Sequence, residues 1–290
     1  MSDTIRTVGQ GDENFPEQLR NIHDPPTFLY IRGGDLRDIL GRPCVAIVGS
    51  RKVTSYGKEI ATKLASELAR EGVTIVSGLA IGVDGIAHRA ALEAGGTCVA
   101  VLPSGLDAIY PASHRELAER ILRAGGALVS EYPPRTIAYK LNFIARNRIV
   151  SALSSVVVIP EAAEKSGTLH TARFALEQGK EVMAVPGNIT SVMSVGANNL
   201  IKTGAGGVTS AADVLHVLGI ETKHDKNMRP PKGANAEEQL ILGFVAAGTH
   251  DGAELLAATG LSTEIFNQTL TMLEISGAIR ALGANRWMLR

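Results

Sequence analysis

Five short stretches of this sequence carry residue types that suit chemistry on an anion. "VGSRKVTSYG" (Val48–Gly57) runs from an apolar segment into Gly49, Ser50 and Arg51, and then into a helix start. Free amides at a helix N-terminus can take a phosphate, with a serine hydroxyl and an arginine fork beside them. The G-x-G-x-x-G spacing of a dinucleotide site is absent. "SGLAIGVDGIAHRAAL" (Ser77–Leu92) places Asp84 and His88 four apart, on one helix face. No nucleophile beyond Ser77 accompanies them, so the pair reads as one that orders its loop. "LPSGLDAIYP" (Leu102–Pro111) is a further glycine-bearing turn, with Asp107 and Tyr110 shaping it. "YKLNFIARNRIVSAL" (Tyr139–Leu153) sets Lys140, Arg146, Asn147 and Arg148 around Phe143. Cations for phosphates and a ring for bases suit a single strand, although a plain amphipathic helix with a solvated basic face fits the same pattern. In "VVVIPEAAEKSGTLHTARFALEQGK" (Val156–Lys180), Lys165, Ser166, Gly167 and Thr168 open a helix after an apolar run. That loop can put a cation, hydroxyls and helix amides on one phosphate.

The charge balance supports a local site. The chain has 290 residues, with 29 Lys and Arg against 29 Asp and Glu, so it carries no global basic field. Residues 135–180 nevertheless hold seven cations and three acids, a surplus of four. Two cysteines, Cys44 and Cys98, suit buried reduced thiols and make neither a disulfide framework nor a zinc cluster. The first residues lack an apolar targeting segment, and no apolar run approaches ~20 residues, so a cytoplasmic protein without membrane insertion is expected. No metal or cofactor is expected.

The elements that must position these loops are legible in outline. "CVAIVGS", "VTIVSGLA", "TCVAVLPSG", "ALVSEYP", "SSVVVIPEA" and "EVMAVPGN" are continuous apolar runs, as strands buried on both faces require. Helices are expected between them at about 56–71, 83–94, 114–124 and 168–178. Alternating strands and helices specify an α/β fold with a doubly wound, mostly parallel sheet, whose ligands sit at the strand carboxyl ends near a switch point. Residues 1–40 read as an extended lead-in, with Pro25-Pro26 blocking a helix. Residues 41–220 form the main domain and 221–236 a polar linker. Residues 237–290 give three helices and a hairpin near Gly283–Asn285, a winged-helix-like pattern. The segment Ala211–Ile220 is apolar enough either to join a subunit interface or to pack on its own sheet.

In order and spacing, "VGSR", "SGLAIGVDGIAHRAAL", "GLDAIYP", "SEYPP", "FIARNRIVSALS", "KSGTLHTARFALEQGKEVMAVPGN" and "GANNLIKTGA" resemble the DNA-processing protein A family, over roughly residues 15–215. The tail resembles that family's C-terminal domain. The resemblance implies an extended Rossmann-like domain that binds single-stranded DNA. It also implies a homodimer, protection of incoming strands during natural transformation, loading of the recombinase RecA, and no enzymatic activity. Carried over by motif, the DNA contacts are Ser50, Arg51, Lys140, Phe143, Arg146, Asn147, Arg148 and the Lys165–Thr168 loop. The sequence departs from the family in three places. It is too short for the N-terminal helical domain of many members, Ile144 follows Phe143 where proline is usual, and Arg135 follows Pro-Pro where glycine is common.

Two other readings compete. The related Lonely Guy phosphoribohydrolases place a catalytic glutamate just after a Gly-Thr. Here Leu169, His170 and Thr171 follow Gly167-Thr168, and none can stabilise a cationic sugar. A duplex-reading regulator would need cations on its recognition helix, yet "STEIFNQTLTMLEISG" has Glu264 and Glu274 and no Lys or Arg.

Overall fold

The computed structural model describes residues 4–220, 233–247, 249–283 and 285–289. The chain divides into two compact units, Met1–Glu221 and Thr222–Arg290.

Nine strands form one sheet in the first unit: β1 (Arg6–Gly9), β2 (Phe28–Gly33), β3 (Cys44–Ile47), β4 (Thr74–Ser77), β5 (Cys98–Val101), β6 (Ala127–Ser130), β7 (Val156–Ile159), β8 (Glu181–Ala184) and β9 (Gly206–Gly207). Their order is β1-β2-β6-β5-β4-β3-β7-β8-β9. From β6 to β9 every pairing is parallel, whereas β1 and β2 are antiparallel to each other and β2 to β6. The six apolar runs are β3 to β8.

Alternation explains why these runs are apolar throughout. Val45, Ile47, Ile75, Val156 and Val158 point into one core, under helices α3 (Ser55–Arg70), α4 (Val83–Glu93), α5 (Arg115–Arg123) and α9 (Ala211–Val217). Their neighbours Ala46, Val48, Val76, Val157 and Ile159 point into a second core on the other face. That core is covered by α1 (Glu17–Arg20), α2 (Leu36–Leu40), α6 (Lys140–Ala152), α7 (Thr168–Glu177) and α8 (Val195–Lys202). A strand covered on both sides has no solvent face to spare for polar residues. The four helices expected between strands end within one residue of the expected positions.

Residues 1–40 need a correction. They are not merely a lead-in. β1 and β2 extend the sheet beyond β6, and Phe15, Leu19, Leu36 and Ile39 are buried in the second core. Without β2, β6 would leave an unpaired backbone edge. Helix α9 buries Ala211, Val214 and Leu215 in the first core, so its apolar face serves its own sheet. Cys44 and Cys98 are buried free thiols, pushed up to about 11 and about 12 by burial.

The second unit has helices at Ala236–Ala246, Gly252–Thr259 and Thr263–Ile275, then a two-stranded antiparallel hairpin of Ile279–Gly283 and Arg286–Leu289. Ile241, Leu242, Leu255, Phe266, Leu270 and Leu273 make its core. Asn235, Asp251 and Ser262 cap its three helices by accepting backbone amides. Of the expected linker, 221–232 lie outside the described residues. No described helix is long and apolar enough to cross a membrane.

Candidate nucleic-acid interface

β3 and β7 lie side by side, but the chain leaves β3 in one direction across the sheet and leaves β7 in the other. Loops after such a pair diverge and open a crevice at the strand ends. Here the crevice is a cavity of about 790 Å³. Gly49, Ser50, Arg51 and Lys52 line it from the loop after β3. Lys140, Phe143, Arg146 and Asn147 line it from α6. Lys165, Ser166, Gly167 and Thr168 line it from the loop after β7. Three stretches are thereby joined, the first of them more than eighty residues from the other two. All the expected contact residues line the cavity except Arg148, and Asp84, His170 and Met193 also line it.

Close packing sets the β3 turn. A Cβ on Gly49 would come within 2.6 Å of a Val83 methyl and 2.9 Å of the Glu161 carbonyl. Only glycine lets this strand end pass there. Ser50 is buried, and its hydroxyl donates to the Lys52 carbonyl and accepts the Lys52 amide. That hydroxyl closes its own turn rather than standing free for a phosphate. Arg51 is exposed, and its guanidinium lies 4.8 Å over the Phe143 ring centroid. Phe143 in turn meets Tyr110 edge-on, with centroids 5.4 Å apart.

The two helices that point at the cavity differ at their N-termini. At α3, the Thr54 amide and hydroxyl both donate to the carboxylate of Glu161, which is 2% exposed, and the Gly57 amide donates to the Thr54 hydroxyl. The cap residue of α3 is therefore tied to the protein's own anion, and the Gly57 amide to the cap hydroxyl. At α7, the cap residue is Gly167, which has no side chain to accept an amide. Thr168 donates its amide to the Ser166 hydroxyl at 3.3 Å, and this turn lines the cavity.

Two of the expected cations are internal. Arg146 is 3% exposed and donates through Nη1 to the Val101 carbonyl and, at 2.6 Å, to the Gly78 carbonyl. A Cβ on Gly78 would fall 2.3 Å from that guanidinium. Burial lowers the Arg146 pKa to about 10, against the pull of Asp84, so it stays charged at neutral pH. Asp84 accepts the Gly78 amide at 3.0 Å, and burial raises its pKa. The expected loop-ordering role thus falls to Asp84 together with Arg146, not to Asp84 with His88. His88 is fully buried and neutral, pushed down to about 3 by burial first and then by His114, Arg146 and Arg89. Arg148 is 5% exposed and forks onto Glu131 at 2.8 and 2.7 Å, while its Nε donates to the Asp24 carbonyl at 2.8 Å. It ties α6 to the segment before β2 and does not reach the cavity. Sequence spacing could not separate these arginines from exposed ones, because their partners lie 17 to 124 residues away.

What remains for a ligand is Arg51, Lys140 and Lys165, all exposed, with no acidic partner for either lysine among the described residues. Lys52 adds a fourth rim cation that the motifs did not single out. Arg135 also has a local explanation. It adopts φ 71°, the left-handed region where glycine is favoured, and its amide is held by both Asp107 carboxylate oxygens at 2.8 and 2.9 Å.

A mostly parallel, nine-stranded α/β sheet with a cationic crevice at its switch point defines a Rossmann-like protein that can hold an anionic ligand. The pattern of the DNA recombination-mediator protein A family matches residues 6–219, and the chain belongs to that family. It is 41% identical over 214 residues to DNA processing protein DprA of Bacillus subtilis, covering 74% of this chain and 71% of that protein. It is 46% identical over 206 residues to protein Smf of Escherichia coli, covering 71% of this chain but 54% of the relative. DNA processing protein A of Streptococcus pneumoniae superposes with a TM-score of 0.69 and 39% identity, over 75% of each chain. The Helicobacter pylori protein, described for its single-stranded DNA binding mode, superposes with a TM-score of 0.66 and 37% identity, over 75% of this chain and 98% of that one.

Proposed function

We propose that this protein binds single-stranded DNA in the crevice between the β3 and β7 loops. One observation carries the reading: exposed cations from three separate segments converge with an aromatic ring on a single cavity. Arg51, Lys140 and Lys165 neutralise backbone phosphates, and the α7 N-terminal turn at Ser166–Thr168 receives one of them. Unpaired bases lie against the aromatic side of the same site. Membership of the family and the Helicobacter structure support the same ligand.

In this reading the chain grips and does not cut. The first turn of α7 carries Leu169, His170 and Thr171, while Glu161 is tied to Thr54 and Asp84 to the Gly78 amide. Among the described residues that line the cavity the only carboxylate is Asp84, and the Gly78 amide holds it. We further propose that the protein works in the cytoplasm as a homodimer that protects incoming strands and passes them to RecA. That proposal rests on the family's role in transformation.

The direct test is binding of fluorescent oligo-dT and of a matching duplex at several salt concentrations. The single strand should bind more tightly. If three cations each neutralise one phosphate, log K against log salt should fall with a slope of about −2, at about −0.7 per phosphate. A duplex preference, or no salt dependence, would remove the proposal.

A further inference from the structure

Phe143 is the ring that the motif offers to a base, but its surroundings in the fold leave it little free surface. The Arg51 guanidinium occupies one face at 4.8 Å. Tyr110 stands beside it at an interplanar angle of 72°. Phe143 is only half-exposed, whereas Tyr110 leaves 47% of its surface in solvent. Tyr110 belongs to the turn after β5, next along the sheet from β4, and so extends the site away from the cavity. Lys140 is exposed one turn before Phe143 on α6, and the loop before α6 carries exposed Arg135, whose amide is held by Asp107 in the same turn as Tyr110.

We propose that Tyr110 is a base-stacking residue, and that Phe143 serves chiefly as the support holding Arg51 and Tyr110 in place. The inference rests on the single-stranded reading of the site and adds to it a second subsite. One nucleotide has its phosphate in the cavity, and a neighbouring unpaired base lies on the exposed tyrosine ring. An aromatic edge-to-face pair fixes the tyrosine before the ligand arrives, so little side-chain freedom is lost on binding. The occupant is an unpaired base rather than an apolar protein segment, because the ring packs on Phe143, which carries Arg51 and lines a cationic crevice. A stacked base needs exposed ring surface close to a cationic site, and Tyr110 is exposed while packing on a ring that lines one.

The test compares full-length wild type with Tyr110→Phe, Tyr110→Leu and Tyr110→Ala on oligo-dT and on the same oligomer carrying abasic positions. Tyr110→Phe should keep wild-type affinity, since the ring survives. Tyr110→Leu and Tyr110→Ala should each weaken binding by roughly 5- to 150-fold, the range for one lost stack. Their salt slopes should match wild type, because no counterion is involved. On the oligomer whose abasic position matches the ring, wild type and Tyr110→Ala should bind equally. A structural disturbance would instead persist on the abasic strand and overturn the proposal. Unchanged affinity of Tyr110→Leu and Tyr110→Ala for oligo-dT overturns it too, while leaving the single-stranded reading intact. If wild type itself fails to bind oligo-dT, the underlying reading is what falls.

Discussion

The floor and the rim of the crevice carry similar residues in opposite states. On the floor and behind it, where Arg148 and Glu161 lie off the cavity wall, Arg146, Arg148, Asp84 and Glu161 are at most 6% exposed, and each charge is matched by another protein group. On the rim, Arg51, Lys140 and Lys165 are exposed, and neither lysine has an acidic partner among the described residues. A charge taken out of water must be paired or it costs several kcal/mol, so floor charges are structural by necessity. A charge left in water costs little and stays available. Floor substitutions should therefore change stability and leave the salt dependence alone, and rim substitutions should do the reverse.

Arg148→Ala should show the largest effect. It strands Glu131, 15% exposed on its side chain, and should lower stability by about 3–5 kcal/mol in urea unfolding. Under conditions where the variant is still folded, its salt slope for oligo-dT should equal that of wild type. A flattened slope would move Arg148 from floor to rim and break the distinction.

His88 gives the next effect. Its folded pKa of about 3 lies below its ordinary value of 6.5, so the unfolded chain binds the proton more readily. The stability it contributes is complete above pH 6.5 and is lost as pH falls toward 3. Between pH 6.5 and pH 5 the loss should be about 2 kcal/mol, at about 1.4 kcal/mol per unit for one proton. Urea midpoints of wild type and His88→Leu across that range should differ in pH dependence by this amount. Parallel curves would show that His88 protonates in the folded protein.

The rim should respond least in stability and most clearly in ligand binding. Lys140→Ala and Lys165→Ala should each stay within about 0.5 kcal/mol of wild type on unfolding. Each should flatten the salt slope by about 0.7, one phosphate's worth. A lysine whose removal leaves the slope untouched belongs to the solvated surface and not to the site.

Much of this was legible before any coordinates. The six apolar runs read correctly as β3–β8, and three of the quoted stretches supply most of the lining of one cavity. The antiparallel β1 and β2 were not legible, because their fragments are short and their partner β6 lies about a hundred residues away. The motif "FIARNRIVSALS" announced its cations without saying which would face out. Arg146 and Arg148 are two apart and both turn inward, one toward the ends of β4 and β5 and the other toward Glu131.

The sequence by itself determined the doubly covered strands, the places where the chain turns and the local surplus of positive charge. Those features come from the period of apolar residues and from residue type, which act over a few neighbours at most. Only the tertiary structure decided which cations are spent inside the protein and which remain for a ligand. That choice depends on carbonyls and carboxylates brought from as far as 124 residues away. A guanidinium's state is fixed by whether those partners reach it and exclude water, and no spacing along the chain encodes that.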